Sequence, residues 1–142
     1  MIHQVKLVCD VAVICKEQTL LVRYKDVNDY DHQKGWFIPD DYIHEVEHPD
    51  DAAMRILKEQ LNYNPQNPSE IKFCFFESFK GGDKSWHLIF HYALRLSSMP
   101  ETTPSKNIDE AKWFDVNNLP SDKEIAHHGW ARYTLQSIFN SK

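Results

Sequence analysis

The stretch WFIPDDYIHEVEHPDDAAMRILKEQLNY, from Trp36 to Tyr63, holds the densest set of chemically capable side chains in this 142-residue chain. Within it, His44-Glu45-Val46-Glu47-His48 matches the HExxH pattern of zinc peptidases letter for letter. That chemistry requires both histidines on one face of a helix, with the glutamate as general base. Pro49 follows at once, and a proline inside a helix costs about 3 kcal/mol. A helix over 44–48 would have to end or kink there, and no third ligand follows at a helical spacing. His44 and His48 therefore read as polar loop residues near a pocket.

The spacing around this motif predicts the elements that carry it. Pro49 suits the first position of a helix, where its missing N–H is not needed. Asp50 and Asp51 complement the helix dipole in the first turn. Ala53, Ile56, Leu57 and Leu61 recur at helical spacing and form one apolar face, while Met54, Arg55, Lys58, Glu59 and Asn62 mostly point elsewhere. Asn62 and Pro65 close the helix. Upstream, Trp36 to Pro39 reads as a short strand entering a loop over 40–48. The order is strand, acidic loop, amphipathic helix.

That arrangement resembles the Nudix superfamily of MutT-like domains. Their box reads Gly, five residues, Glu, seven residues, Arg-Glu-hydrophobic, one residue, Glu-Glu, one residue, Gly. Laid on this chain, the box runs from Asp41 to Asn62. Glu47 falls on the first Glu, Arg55 on the Arg, Leu57 on the hydrophobic position and Glu59 on the first Glu of the pair. Trp36-Phe37-Ile38-Pro39-Asp40-Asp41 stands where the lead-in is usually Trp-x-x-Pro-Gly-Gly, and Ala52-Ala53 opens the helix as in the family. The chain departs from the pattern at four positions. Ile56 and Gln60 replace two glutamates, and Asp41 and Asn62 replace the two glycines.

The resemblance implies a divalent-metal-dependent pyrophosphohydrolase, acting on the acid anhydride of a nucleoside diphosphate linked to another group. In the family, positions 56, 59 and 60 share a helical face whose carboxylates bind Mg2+ or Mn2+, and the metal polarises phosphorus and helps to activate water. Mg2+ prefers hard oxygen ligands in octahedral geometry. Here only Glu59 of that trio remains, so weak metal binding and weakened or altered catalysis are expected. By the same resemblance Glu47, Arg55 and Glu59 are the catalytic candidates, Glu59 and Glu47 the metal ligands, and Arg23, Trp36, Asp40, Asp41 and Gln60 the substrate contacts. Glu47 and Arg55 also suit a scaffold pair that locks the loop onto the helix. Asp40, Asp41, Glu77, Asp83, Asp109 and Glu110 are acids that could rebuild a metal site. The alternative is a non-catalytic nucleotide- or phosphometabolite-binding or regulatory module on the same fold.

The remaining segments suit one domain over 1–142. Val5 to Cys15 and Thr19 to Tyr24 read as strands joined by a polar turn. Lys25 to Lys34 is a polar loop, with Asp26, Asp29 and Asp31 near the pocket mouth. Ile71 to Phe79 and Trp86 to Leu96 read as a hairpin, Ala111 to Val116 as a further strand, and a closing helix runs from Leu119-Pro120-Ser121 to about Phe139. His87 and His91 share one strand face, which allows a metal pair but more commonly marks a half-exposed sheet face. His127 and His128 are expected to face solvent. Tyr24, Tyr30, Trp36, Phe76, Phe79 and Trp86 are candidates to border the pocket, and Lys80 and Lys84 join Arg23 as candidate phosphate contacts. The implied fold class is α/β (α+β), an α/β/α sandwich around a mixed β-sheet.

Composition narrows the partners. A net charge of −5 leaves no basic footprint for nucleic acid. No run of 18 apolar residues is present, so no membrane span is expected. Cys9, Cys15 and Cys74 are sparse and sit in apolar strands, which suits small core residues in a reducing compartment better than a disulfide framework. The first residues lack the basic and apolar regions of a signal peptide, so the cytoplasm is the expected location. The expected partner is a small-molecule nucleotide or other diphosphate compound, and a homodimer is common among proteins of this kind.

Overall fold

A computed structural model describes residues 4–26, 33–80 and 84–140. Asp29, Tyr30, Asp31 and Asp83 lie outside them. The elements are β1 (Val5–Cys15), β2 (Gln18–Tyr24), β3 (Asp40–Tyr42), α1 (Pro49–Leu61), β4 (Ile71–Lys80), β5 (Trp86–Leu96), β6 (Ile108–Asp115) and α2 (Ala126–Asn140). One mixed sheet runs in the order β4-β5-β1-β2-β6, with β3 added to β1. Strands β1 and β5 are parallel, in register from Val5↔Trp86 to Cys15↔Leu96; the other strand pairs are antiparallel.

Val11 to Cys15 is buried residue after residue, as a central strand covered on both faces must be. Alternation then sorts the side chains into two cores. Cys9, Val11, Val13, Tyr92 and Leu94 pack with Ala53, Ile56, Leu57 and Leu61 of α1. Ala12, Ile14, Leu21 and Ala93 pack with Ala131, Leu135 and Ile138 of α2. The result is the expected sheet between helices. No helix among the described residues is long and apolar enough to cross a membrane, and all three cysteines are free thiols.

The structure differs from the sequence reading at several places. Trp36 to Pro39 is not a regular strand. It wedges between β1 and β2 through single bridges, Phe37 to Val22 and Trp36 to Ile125, and the Pro39 carbonyl accepts from Val11 N–H at 2.9 Å. The pairing resumes after the proline, where Asp40 to Tyr42, expected as loop, forms β3 against Val8 to Asp10. Strand β6 starts at Ile108, three residues before the expected Ala111. The closing helix begins at Ala126 instead of near Pro120. Its first turn is broken by three left-handed residues, His127 (φ 55°), His128 (φ 57°) and Gly129 (φ 91°). Gly129 is required there, since a Cβ would come within 2.6 Å of Asp122 Oδ1. His127 is half-buried and edge-on to Phe37 and Trp130, so of that pair only His128 faces solvent. His87 and His91 are both buried, not on a half-exposed face.

Candidate functional site

Helix α1 is built as its sequence requires. His48 is the N-cap, with extended backbone, and its Nδ1 accepts from Asp50 N–H at 3.1 Å. Asn62 closes the helix in the left-handed region at φ 53°. The HExxH residues precede the helix in a turn, with Val46 at φ 63°, so the two histidines share no helical face.

Arg55 is the centre of the loop–helix junction. Its Nε donates to Glu47 Oε2 at 2.9 Å and its Nη2 to Glu47 Oε1 at 3.1 Å, a two-pronged contact. Nη2 also donates to the Tyr42 carbonyl at 2.8 Å. Nη1 donates to Asp41 Oδ2 at 2.8 Å and reaches Glu59 Oε2 at 3.5 Å. The guanidinium fork suits such planar recognition. Glu47 closes the turn as well, since Oε1 accepts from His44 N–H at 3.0 Å. The hydrogen bonds from Arg55 hold the Glu47 carboxyl well below the usual range, at about 2.

The face of positions 56, 59 and 60 is divided. Ile56 is fully buried in the core and Gln60 nearly so, whereas Glu59 is exposed. Gln60 Oε1 accepts from the Tyr24 hydroxyl at 2.9 Å, and its Nε2 donates to the Asp40 carbonyl at 2.7 Å. The Tyr24 oxygen also accepts from Asp40 N–H at 3.0 Å. Tyr24, Asp40 and Gln60 thus form a second network behind the first, with the Tyr24 hydroxyl also 3.1 Å from Asp40 Oδ1.

These donors do not fit a resident metal cluster. Asp41, Glu47 and Glu59 each contact Arg55, so the cation among them is a guanidinium. Among the described residues no group of three or more His, Cys, Asp or Glu side chains is arranged to hold a metal ion.

Of the sequence candidates, Asp41, Glu47, Arg55 and Glu59 are therefore brought together by Arg55, and Asp40 and Gln60 by Tyr24. Arg23 and Trp36 lie apart. The Arg23 guanidinium sits 4.9 Å above the Trp36 ring and pairs with Glu110. The two line a separate cavity of about 340 Å³ with Lys34 and Lys123. Lys80 and Lys84 are exposed at the ends of the β4–β5 hairpin.

A second cavity, of about 310 Å³, opens where Asp40 meets the α2 side of the sheet; Glu77, Phe79, His87, His127 and Trp130 line it as well. Behind it lies a charged row. His91 Nδ1 is 2.8 Å from Asp10 Oδ1, and its Nε2 is 2.7 Å from Glu77 Oε1. Asp10 and His91 are fully buried. Burial opposes the imidazolium, but the Asp10 and Glu77 carboxylates outweigh it and push His91 up to about 9. The hydrogen bond from His91 in turn lowers Glu77. Asp10 and Trp130 were not singled out from the sequence. A lone aspartate inside the apolar run Val5 to Cys15 was a signal, because a buried charge needs a partner.

The NUDIX domain profile matches residues 6–136. Among solved structures, the chain is similar to a MutT NUDIX hydrolase from Burkholderia pseudomallei, with TM-score 0.74 and 15% identity over 92% of this chain and 97% of that one. It is similar to a MutT/nudix family protein from Enterococcus faecalis, with TM-score 0.69 and 17% identity over 81% of this chain and 45% of that one. It is also similar to a bifunctional NMN adenylyltransferase/ADP ribose pyrophosphatase from Francisella tularensis, complexed with AMP and a Mn ion, with TM-score 0.75 and 15% identity over 99% of this chain and 43% of that one. The chain thus spans less than half of the last two. No curated protein matches it. At these identities the solved structures speak for the fold, and the profile, covering nearly the whole chain, places this protein in the Nudix family.

Proposed function

We propose that this Nudix protein binds a nucleoside diphosphate linked to another moiety, or a related phosphometabolite, and hydrolyses it only weakly. The observation that carries this reading is the carboxylate face itself: Arg55 engages Asp41 and Glu47, and Ile56 and Gln60 are buried where two glutamates would stand. Glu59 is then the one box acid exposed enough to meet Mg2+ or Mn2+, and a lone carboxylate holds such an ion weakly unless the ligand phosphates share it. The similar Francisella tularensis protein, named an ADP ribose pyrophosphatase and complexed with AMP and Mn, supports the ligand class. The buried free thiols Cys9 and Cys15 support a reducing, cytoplasmic setting.

A second reading, a binding or regulatory module without turnover, is favoured by the burial of Ile56 and the engagement of both ends of Gln60. One experiment separates them. Phosphate and pyrophosphate release is measured with Mg2+ and with Mn2+ on nucleoside triphosphates, ADP-ribose, dinucleoside polyphosphates and sugar nucleotides, beside Glu59→Gln. Slow turnover abolished by Glu59→Gln supports the first reading. No turnover, with thermal stabilisation by one of the same compounds, supports the second. Neither turnover nor stabilisation sinks both.

A further inference from the structure

The cavity between Asp40 and Trp130 has a wall that chooses what enters it. Its volume of about 310 Å³ falls at the small end of the roughly 300–1,000 Å³ range of small-molecule sites. Phe79 and His87 stack at its side, with ring centroids 5.0 Å apart and planes 17° from parallel. Trp130 adds a third ring. Flat aromatic walls favour a flat, aromatic occupant.

The charged groups on the wall are carboxylates. Both hydrogen bonds to Glu77, from His91 Nε2 at 2.7 Å and Trp130 Nε1 at 3.2 Å, fall on Oε1. Among the described residues Oε2 accepts none, and the Glu77 side chain is 40% exposed. His91 cannot turn away, because Asp10 fixes its other nitrogen. The ring pair and the indole therefore surround an acceptor that is already charged and oriented. Phosphate is repelled from such a wall by Glu77 and Asp40. A ring bearing an amino group is attracted, since its N–H donates to a charged oxygen.

We propose that Glu77 is the specificity-determining acceptor of this cavity and selects an amino-bearing purine over one carrying only carbonyl groups. This rests on the reading of the protein as a nucleotide binder and deepens it. The ring enters the cavity, and the phosphates, repelled by Glu77 and Asp40, remain outside it.

The test is titration calorimetry of the full chain, in Mg2+ buffer, with ADP, GDP and IDP. The hypoxanthine of IDP lacks the amino groups of the other two. At least one of ADP and GDP should bind about tenfold or more tightly than IDP, the usual worth of a hydrogen bond to a charged group. Glu77→Gln keeps the shape but replaces Oε2 with a donor, so the preference should vanish or reverse toward IDP. A residue that merely props up His91 would weaken all three ligands alike. Equal binding of the three by the wild type overturns the proposal and leaves the nucleotide reading standing. If none of the three binds the wild type, the proposal is overturned as well, since the cavity then takes no purine diphosphate. Should Glu77→Gln fail to fold, the wild-type comparison decides alone.

Discussion

The Tyr24 hydroxyl donates to Gln60 Oε1 at 2.9 Å, from the end of β2 to the helix that carries the Nudix box. The other end of Gln60 donates to the Asp40 carbonyl. An amide fits this place because it accepts at one end and donates at the other. A glutamate, the family residue, would set a carboxylate oxygen against a carbonyl oxygen. Gln60→Glu should therefore lower stability by about 1–3 kcal/mol, read from urea unfolding, and should gain no hydrolysis by itself. Unchanged stability would show that the network is slack.

Ile56 poses the harder obstacle to restoring the box. Its side chain is fully buried among Cys9, Val11, Leu57 and Tyr92. Ile56→Glu should cost about 3 kcal/mol or more, since it buries a carboxyl without a partner. Ile56→Val, a loss of one methylene, should cost about 0.5–1.5 kcal/mol. The double variant Ile56→Glu, Gln60→Glu is expected to melt early and to show no added thermal stabilisation by Mn2+. A well-folded double variant that Mn2+ stabilises would mean the helix can turn these positions outward.

Arg55 and Glu47 give the acid side of the stability profile. Arg55→Ala should cost about 3 kcal/mol, because it leaves Glu47 and Asp41 half-buried without their cation. Arg55→Lys should recover only part of this, since an ammonium cannot make the forked contact. Glu47 is lowered from 4.5 to about 2. A lowered carboxyl contributes stability that is fully present above its unfolded value and is lost as pH falls through its folded one. Unfolding free energy should thus decline between about pH 4.5 and pH 2, and Glu47→Gln should flatten that decline.

What the sequence revealed and what it hid divide along range. Helix α1 was legible because its signals are local: Pro49 at the start, Asp50 and Asp51 in the first turn, apolar spacing, Asn62 at the end. The strands β1, β2, β4 and β5 were legible from short β-rich runs between turns. The left-handed start of α2 was not, because His127 and His128 carry no local signal for positive φ, and His127 packs edge-on to Phe37, a residue distant in sequence. The partner of Arg55 was legible, since Glu47 lies eight residues away in one motif. The partner of Asp10 was not, since His91 meets it only across the parallel β1–β5 pairing. The apolar spacing showed Ile56 turning inward and Glu59 pointing elsewhere, but not that Gln60 is buried, which depends on what packs against the helix.

His91 gives the alkaline side. Burial works against its charge, but Asp10 on β1 and Glu77 on β4 hold it protonated up to about 9, above its ordinary 6.5. Trp130 of α2 and the ring of Phe75 complete its surroundings without adding charge. A raised histidine contributes stability that is fully present below its unfolded value and is lost as pH rises through its folded one. Unfolding free energy should therefore fall between about pH 6.5 and pH 9. Burial also raises the Cys9 thiol and the Tyr92 hydroxyl, but these lose stability only above their ordinary values of 9.0 and 10.0. Burial raises the Asp10 carboxyl too, so the slope below pH 9 belongs to the coupled Asp10–His91 pair. The double variant Asp10→Asn, His91→Gln leaves no lone carboxyl in the core, so its stability should barely change between pH 6.5 and pH 9. Urea unfolding of both proteins at half-unit steps of pH checks this. A slope that persists in the double variant would assign it to groups outside this pair.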